Sequence, residues 1–215
     1  MNKLIIWFVL ASVLVIGAVG AYWWFDLRWR PRTIVKHQAE ITKILESSGW
    51  VSPGLTGPRL YMIGFRGCPD CIRLKAEEFP KYLEAGVDAR VILIARGDSE
   101  GAERSTAAER ATVAELWINR NWLLMERWDS EPVEAWTAQG VPPADGDMAR
   151  TAVIQAGRTM VEDLRPLLAA NGVKVGRESI RYPTLIWWTR DGEMKACACE
   201  RPETYRFVRK ALDVK

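Results

Sequence analysis

The distribution of apolar residues separates the first part of the chain from the rest. An uncharged apolar run extends from Leu4 to Phe25 and ends in the aromatic sequence YWWF. About 20 such residues can cross a bilayer as a helix, and aromatic residues are enriched at the membrane interface. We therefore expect residues 1–25 to form a transmembrane anchor. A cleaved signal peptide is the alternative, because Ala18 and Gly20 are small residues at signal-peptidase spacing.

The segment that follows has a weaker pattern. Apolar positions in IVKHQAEITKIL recur at helical spacing and predict a short amphipathic helix. The sequence VSPGLTGP comes next, and its prolines and glycines are residues that interrupt helices and strands. We interpret residues 26–58 as a linker that contains one short helix.

The remaining segment, 59–215, begins with strand and helix patterns in alternation. RLYMIGF and ARVILIA are short apolar runs typical of buried strands. Between them, PDCIRLKAEEF carries a proline and an acidic residue where a helix would start, and Pro80 is expected to break or kink that helix. A strand–helix–strand unit predicts parallel strands. Later apolar residues at helical spacing predict a helical insertion at about 101–172.

The end of the chain predicts a hairpin and a closing helix. YPTLIWWTR is a strand pattern entered through a proline, and Asp191-Gly192 is a strong signal for a hairpin turn. EMKACAC would be the returning strand, and RPETYRFVRKALD has the apolar spacing of a helix. Segment 59–215 is therefore expected to be an α/β domain.

Charge and histidine content narrow the classes of partner. The chain has 30 lysines and arginines against 27 aspartates and glutamates, a formal net charge of +3. No block of basic residues stands out, so we expect no nucleic-acid partner. The single histidine, His37, lies far in sequence from every cysteine, which weakens any zinc site that needs histidine ligands.

The chemistry centres on Cys68-Pro69-Asp70-Cys71, two cysteines at the start of a predicted helix. A helix N-terminus lowers the pKa of a cysteine, and the thiolate is the nucleophile in disulfide exchange. Arg66 would add a nearby cation, whereas Asp70 would raise the pKa of the thiol and favour the disulfide. We expect Cys68 to be the accessible nucleophile and Cys71 the buried resolving thiol.

The order of these elements resembles the thioredoxin fold, on the strength of the Cys68–Cys71 motif and of Tyr182-Pro183-Thr184. The resemblance implies an α/β thioredoxin-like fold with a helical insertion, and a cis proline, Pro183, that faces the dithiol. It also places Tyr182 and Thr184 at the substrate lip. The redox-active disulfide Cys68–Cys71 would then be the only redox group, with no further cofactor and no metal.

The long insertion looks like the Dsb group of bacterial envelope thiol-disulfide oxidoreductases, nearest to the DsbC/DsbG catalytic domain. Three features depart from the relatives. Gly67 stands where thioredoxins have tryptophan, LYMIGF offers no acid beneath Cys71, and about thirty residues before the first strand are too few for a dimerisation domain. Dimeric isomerase activity is therefore not carried over.

Cys197 and Cys199 are two apart on a predicted strand, so their side chains point to one face. Counting pairs from the turn puts Cys199 roughly opposite Thr184. Three interpretations stay open: small buried residues, a second redox pair or substrate lip close to Cys68, or part of a metal site.

The function expected on these grounds is a membrane-tethered thiol-disulfide oxidoreductase acting on envelope protein disulfides. Its partners would be proteins with thiols or disulfides, and a membrane or envelope redox protein. The alternatives are a thiolate carrier of Cu(I) or zinc and a thioredoxin-fold scaffold of an envelope complex.

The expected location is the inner membrane, with a single span and the C-terminal domain in the periplasm. The flanking charges argue the other way, because Lys3 alone precedes the span and four basic residues follow it: Arg28, Arg30, Arg32 and Lys36. Long domains are nevertheless exported despite such charges.

Overall fold

The computed structural model describes residues 3–99 and 102–215, and the chain divides into two compact units at Arg30 and Pro31. The N-terminal unit is helix α1, Lys3–Phe25, followed by a single 3-10 turn at Leu27–Trp29. Within the described residues this is the one helix long and apolar enough to cross a membrane. A signal sequence meets the same criteria, so the helix supports either an anchor or a leader.

The second unit is built on a mixed sheet of five strands in the order β1-β5-β4-β2-β3. Strands β2 and β3 run parallel, as the strand–helix–strand pattern predicts, and the other neighbouring pairs are antiparallel. The strands are β1 Arg32–Thr33, β2 Arg59–Gly64, β3 Asp88–Leu93, β4 Thr184–Trp188 and β5 Met194–Ala198.

Six helices accompany this sheet within the described residues: α2 Gln38–Ser47, α3 Pro69–Glu84, α4 Ala107–Asn119, α5 Trp122–Ser130, α6 Met148–Ala169 and α7 Tyr205–Leu212. Their starts follow from local sequence. Thr106 and Glu109 form a reciprocal capping box at α4, and the Asp147 carboxylate accepts two backbone N–H groups at α6.

The sequence predicted that Pro80 breaks or kinks α3. The helix does not break there but continues through Pro80 to Glu84. A proline at this position removes the N–H that would bond the carbonyl of Ala76. Both residues lie on the solvent side of the helix. Water can therefore satisfy the freed carbonyl, and the helix ends one turn later.

Side chains alternate between the two faces of the sheet, and each face is covered by helices. Leu60 and Met62 of β2 belong to a buried cluster shared with α3, α4, α5 and α7. Tyr61 and Ile63 belong to a second cluster, shared with α2 and α6. The domain is thus a three-layer α/β structure with one core on each side of the sheet.

The connectivity confirms the expected fold class. A parallel β2–α3–β3 unit is followed by three α-helices, an antiparallel hairpin of β4 and β5, and the closing helix α7. With β4 beside β2, the central order β3-β2-β4-β5 is that of a thioredoxin-like sheet. The hairpin turn contains Asp191-Gly192 as predicted, and Gly192 has a positive φ of 79°.

The interpretation of residues 26–58 as a linker is wrong from Pro31 onward. Strand β1 pairs with the edge of β5, and Ile34, Ile41 and Leu45 are fully buried. The backbone of Val51 also exchanges hydrogen bonds with Val91 of β3. The amphipathic face of α2 completes the core on the α6 side, so this segment is part of the domain.

This correction predicts that Leu45→Ala lowers the free energy of unfolding by roughly 2–5 kcal/mol, because it removes a buried aliphatic side chain. Lys43→Ala, an exposed position two residues earlier in α2, is the matched control and should change stability by less than about 0.5 kcal/mol. Urea unfolding of both variants measures the difference. Equal stability of the two variants would restore the linker interpretation.

Candidate functional site

The CPDC motif lies where strand β2 passes into helix α3. A tight turn, in which the Cys68 N–H donates to the Phe65 carbonyl at 3.3 Å, joins the two elements. Cys68 caps the helix, and its sulfur accepts the backbone N–H of Cys71 at 3.1 Å. Cys68 and Cys71 form a disulfide with their Cα atoms 5.1 Å apart. The helix N-terminus therefore presents the Cys71 N–H to the Cys68 sulfur.

Gly64, the last residue of β2, lies directly beneath the disulfide. A Cβ atom added at Gly64 would lie 2.9 Å from the sulfur of Cys71. Any side chain at this position would displace Cys71, so the strand requires glycine here for contact with α3. The apolar sequence RLYMIGF contains this glycine, but the pattern of apolar residues does not indicate that Gly64 contacts the Cys71 sulfur.

Both cysteines are buried in the disulfide form, with 3% of Cys68 and 1% of Cys71 exposed. The expected contrast between an accessible Cys68 and a buried Cys71 is therefore small in this state. The assignment of Cys68 as nucleophile stays a prediction, supported by its place at the helix cap and by the packing of Cys71 against Gly64.

Pro183 lies beside this end of β2. The Tyr182–Pro183 peptide bond is cis. Ile63 of β2 pairs with Thr184, the first residue of β4. Because the two strands are antiparallel, Gly64, which follows Ile63, lies opposite Pro183, which precedes Thr184. The ring of Tyr182 packs edge-on against Phe65, with centroids 5.2 Å apart. Tyr182 and Pro183 therefore border the motif, as the resemblance implies.

Thr184 does not form part of an exposed lip. Its side chain is fully buried, and its hydroxyl donates to the Arg181 carbonyl at 2.6 Å. This hydroxyl is therefore used to hold the turn that precedes Pro183. The assignment of Thr184 to a substrate lip is wrong for the side chain, although its backbone stays next to the site.

Arg66 points away from the role that the sequence suggested. Its guanidinium is buried and donates to the carbonyls of Trp128 and Glu131 at the end of α5. It also lies 3.4 Å from the carboxylate of Asp129. A cation at a helix C-terminus complements the negative end of the helix dipole. Arg66 thus joins the motif to α5. Its main contacts are with α5 and not with the Cys68 sulfur.

Lys75 of α3 also binds the Asp129 carboxylate, an ion pair that sequence reasoning missed. Burial lowers the pKa of the Lys75 ammonium, and the Asp129 carboxylate opposes that shift. Two cations, Arg66 and Lys75, therefore share one carboxylate. No local pattern signals this cluster, because Asp129 lies more than fifty positions away in the sequence.

Asp70 is paired within α3. Its carboxylate accepts a hydrogen bond from Arg73 at 2.6 Å, and the same guanidinium nitrogen donates to the Glu200 carbonyl at 2.7 Å. The Arg73 charge offsets the Asp70 charge beside the disulfide, so the effect of Asp70 on the Cys68 thiol is smaller than the sequence alone indicates. Arg73 is a site residue that the motif did not reveal.

Cys197 and Cys199 also form a disulfide, so all four cysteines of the chain are paired. Their Cα atoms are 5.2 Å apart.

The expected pairing of Cys199 with Thr184 is wrong by one residue, because Thr184 pairs with Ala198. The turn between Trp188 and Met194 contains five residues, more than a two-residue hairpin loop. Cys199 instead donates its N–H to the Pro183 carbonyl at 2.8 Å.

A groove of about 580 Å³ runs along α3 and faces α5. Ile72, which follows Cys71, is 40% exposed at this groove. Most of the other lining side chains are apolar: Ala76, Phe79, Pro80, Leu83, Val91, Trp122 and Met125. The ion-paired Arg66, Lys75 and Asp129 lie at one part of its wall. In the described parts of the chain, no three His, Cys, Asp or Glu side chains are placed together to hold a metal ion.

Comparison with known proteins leaves the family open. No protein-family model matches the chain, and no curated protein matches it. Among solved structures, the chain is similar to the crystal structure of Salmonella enterica Typhimurium BcfH, at 14% sequence identity and a TM-score of 0.49. The match covers 96% of this chain and 87% of that one.

The cluster around Asp129 generates a stability prediction. Asp129→Asn leaves Arg66 and Lys75 as two buried cations without a carboxylate, and should cost about 2–4 kcal/mol of unfolding free energy. Lys75→Met, the matched control, keeps Asp129 paired with Arg66 and should change stability by less than about 1 kcal/mol. Chemical unfolding at neutral pH measures both variants. Equal losses in the two variants would contradict the shared-carboxylate arrangement.

Proposed function

We propose that this protein is a membrane-tethered thiol-disulfide oxidoreductase that exchanges disulfides with envelope proteins through Cys68 and Cys71. One observation carries the proposal: the disulfide caps helix α3 at the end of the central strand β2, with Pro183 beside it. A disulfide in that place has one sulfur at the positive end of a helix dipole and the other packed beneath it.

Helix geometry favours the thiolate of Cys68. In the disulfide, the Cys68 sulfur already accepts the Cys71 N–H at 3.1 Å. After reduction, the same N–H can donate to a negative sulfur, and a hydrogen bond to a charged acceptor is stronger than one to a neutral acceptor. The positive end of the α3 dipole adds to this effect, so the pKa of Cys68 is expected below that of a free cysteine.

The exchange requires only the two cysteines. The Cys68 thiolate attacks one sulfur of a substrate disulfide, and the other substrate sulfur leaves as a thiolate. Cys71 then loses its proton and attacks the Cys68 sulfur of the mixed disulfide, which releases the second substrate thiolate and forms Cys68–Cys71. The reverse sequence oxidises a substrate dithiol. The direction depends on the relative reduction potentials of protein and partner.

The groove beside α3 supports a protein as substrate. Its lining is mainly apolar and it begins at the exposed Ile72, immediately after Cys71. An extended or partly unfolded polypeptide can place apolar side chains there while its cysteine lies at the motif. A small, highly charged thiol would gain little from such a lining.

The proposed location is the inner membrane, with the domain in the periplasm and α1 as its anchor. Helix α1 is long and apolar enough to cross a membrane, which supports the anchor. The basic residues after the span argue for the opposite orientation, but the rule that they follow is weak for long exported domains.

Trapping in cells tests both the chemistry and the compartment. Cys71→Ser should accumulate mixed disulfides with protein partners, at least about tenfold above the level in Cys68→Ser, because a serine at position 71 cannot resolve the bond formed by Cys68. Mass spectrometry of the trapped species identifies the partners. Equal trapping by the two variants would overturn the assignment of roles, and exclusively cytosolic partners would overturn the proposed orientation.

A further inference from the structure

We propose that Cys197–Cys199 is a second redox-active disulfide that exchanges electrons with Cys68–Cys71 inside the domain. The inference rests on the proposed function, since it gives the Cys68–Cys71 pair an internal partner. It arises from the position of the second pair, from its burial and from its short separation in sequence.

The pairing of strands places Cys199 in the same row of the sheet as Gly64, the residue beneath Cys71. Ile63 pairs with Thr184, and Thr184 pairs with Ala198. The next row toward the motif therefore contains Gly64, Pro183 and Cys199, and the hydrogen bond from Cys199 to Pro183 confirms the second step. Neighbouring strands are about 4.8 Å apart, so the backbones of Gly64 and Cys199 lie roughly 10 Å apart.

Both pairs also lie on the same face of the sheet. The sulfur of Cys71 covers Gly64 on the face that carries Leu60 and Met62. Cys197, which pairs with Leu185, belongs with Cys199 to the same buried cluster. The two disulfides are thus in one core, on either side of Pro183.

One side chain joins the segments that carry the two pairs. Arg73, two residues after Cys71, donates to the carbonyl of Glu200, the residue after Cys199. Its side chain is 37% exposed and also binds Asp70. This contact holds the N-terminal part of α3 next to the end of β5.

The second disulfide is poorly suited to stabilising the fold. The stabilisation from a disulfide grows with the length of the loop that it closes, and this bond joins residues only two positions apart. Cys197 is 6% exposed and Cys199 is fully buried, so this pair lies in the core together with Cys68–Cys71. Its nearest route to an exchange partner is through the other disulfide of the same core.

The internal exchange balances without an outside reagent. With Cys197 and Cys199 reduced, the Cys199 thiolate attacks Cys68, the Cys68–Cys71 bond breaks, and Cys71 leaves as a thiolate that takes up a proton. Cys197 then loses its proton and attacks Cys199, which forms Cys197–Cys199 and releases the Cys68 thiolate. Two electrons and one proton pass from one pair to the other, and the reverse path is equally balanced.

One cysteine from each pair provides the direct test. In the full chain carrying Cys71→Ser and Cys197→Ser, oxidised glutathione should convert Cys68 and Cys199 to an internal disulfide. After trypsin digestion without reduction, mass spectrometry should find peptide 67–73 joined to peptide 196–206. The yield should exceed that in the matched variant Cys68→Ser/Cys197→Ser by at least about tenfold, since Cys71 is held against Gly64.

Two results would contradict the relay. One is glutathione attached separately to Cys68 and Cys199 with no joined peptide. The other is a joined peptide whose yield falls when the protein is diluted tenfold, which indicates exchange between molecules.

A second measurement does not depend on these variants. Dithiothreitol should reduce Cys197–Cys199 at least about tenfold more slowly in Cys68→Ser/Cys71→Ser than in the natural chain, and equal rates would also contradict the proposal.

The failure of the relay is distinguishable from the failure of the proposed function. In Cys71→Ser/Cys197→Ala/Cys199→Ala, only Cys68 can form a mixed disulfide with a substrate. If this variant traps protein partners while the internal disulfide does not form, the relay is wrong and the oxidoreductase stands. If Cys68 reacts with neither a substrate nor Cys199, the proposed function is wrong as well.

Discussion

The contact between Cys71 and Gly64 is the constraint on which the rest of the site depends. Because a sulfur atom occupies the space where a Cβ atom would be, α3 can begin directly over the end of β2. That position makes Cys68 the cap of the helix, and the pairing of β2 with β4 puts Pro183 in the same row as Gly64. The sheet then extends the same row to Cys199. One close approach thus aligns a helix terminus, a proline and both disulfides.

Charge around the site is compensated locally. Asp70 is matched by Arg73, while Arg66 and Lys75 share Asp129 at the side of α5. None of these ion pairs leaves a cation dedicated to the Cys68 sulfur. In the proposed mechanism, the main stabilisation of the Cys68 thiolate therefore comes from the Cys71 N–H, which depends on the helix start and not on a charged side chain.

The sequence predicted the elements whose signals are local. The structure contains the strands β2 and β3 that the apolar runs predicted. It also contains a helix that starts at the proline and acid of the motif, and a turn at Asp191-Gly192. Contacts between distant parts of the chain were not predictable. Arg66 binds α5 more than sixty positions away, and β1 joins β5 across most of the domain. The register of Cys199 also depended on the length of the hairpin turn, which the dipeptide alone does not determine.

The reduction potential of Cys68–Cys71 tests the central claim most directly. Equilibration of the purified protein with dithiol buffers, followed by alkylation and mass spectrometry of peptide 67–73, measures it. A redox-active pair should titrate reversibly, at a potential between about −270 mV and about −120 mV. A pair that stays oxidised below about −300 mV would be a structural disulfide, and that result would contradict the account.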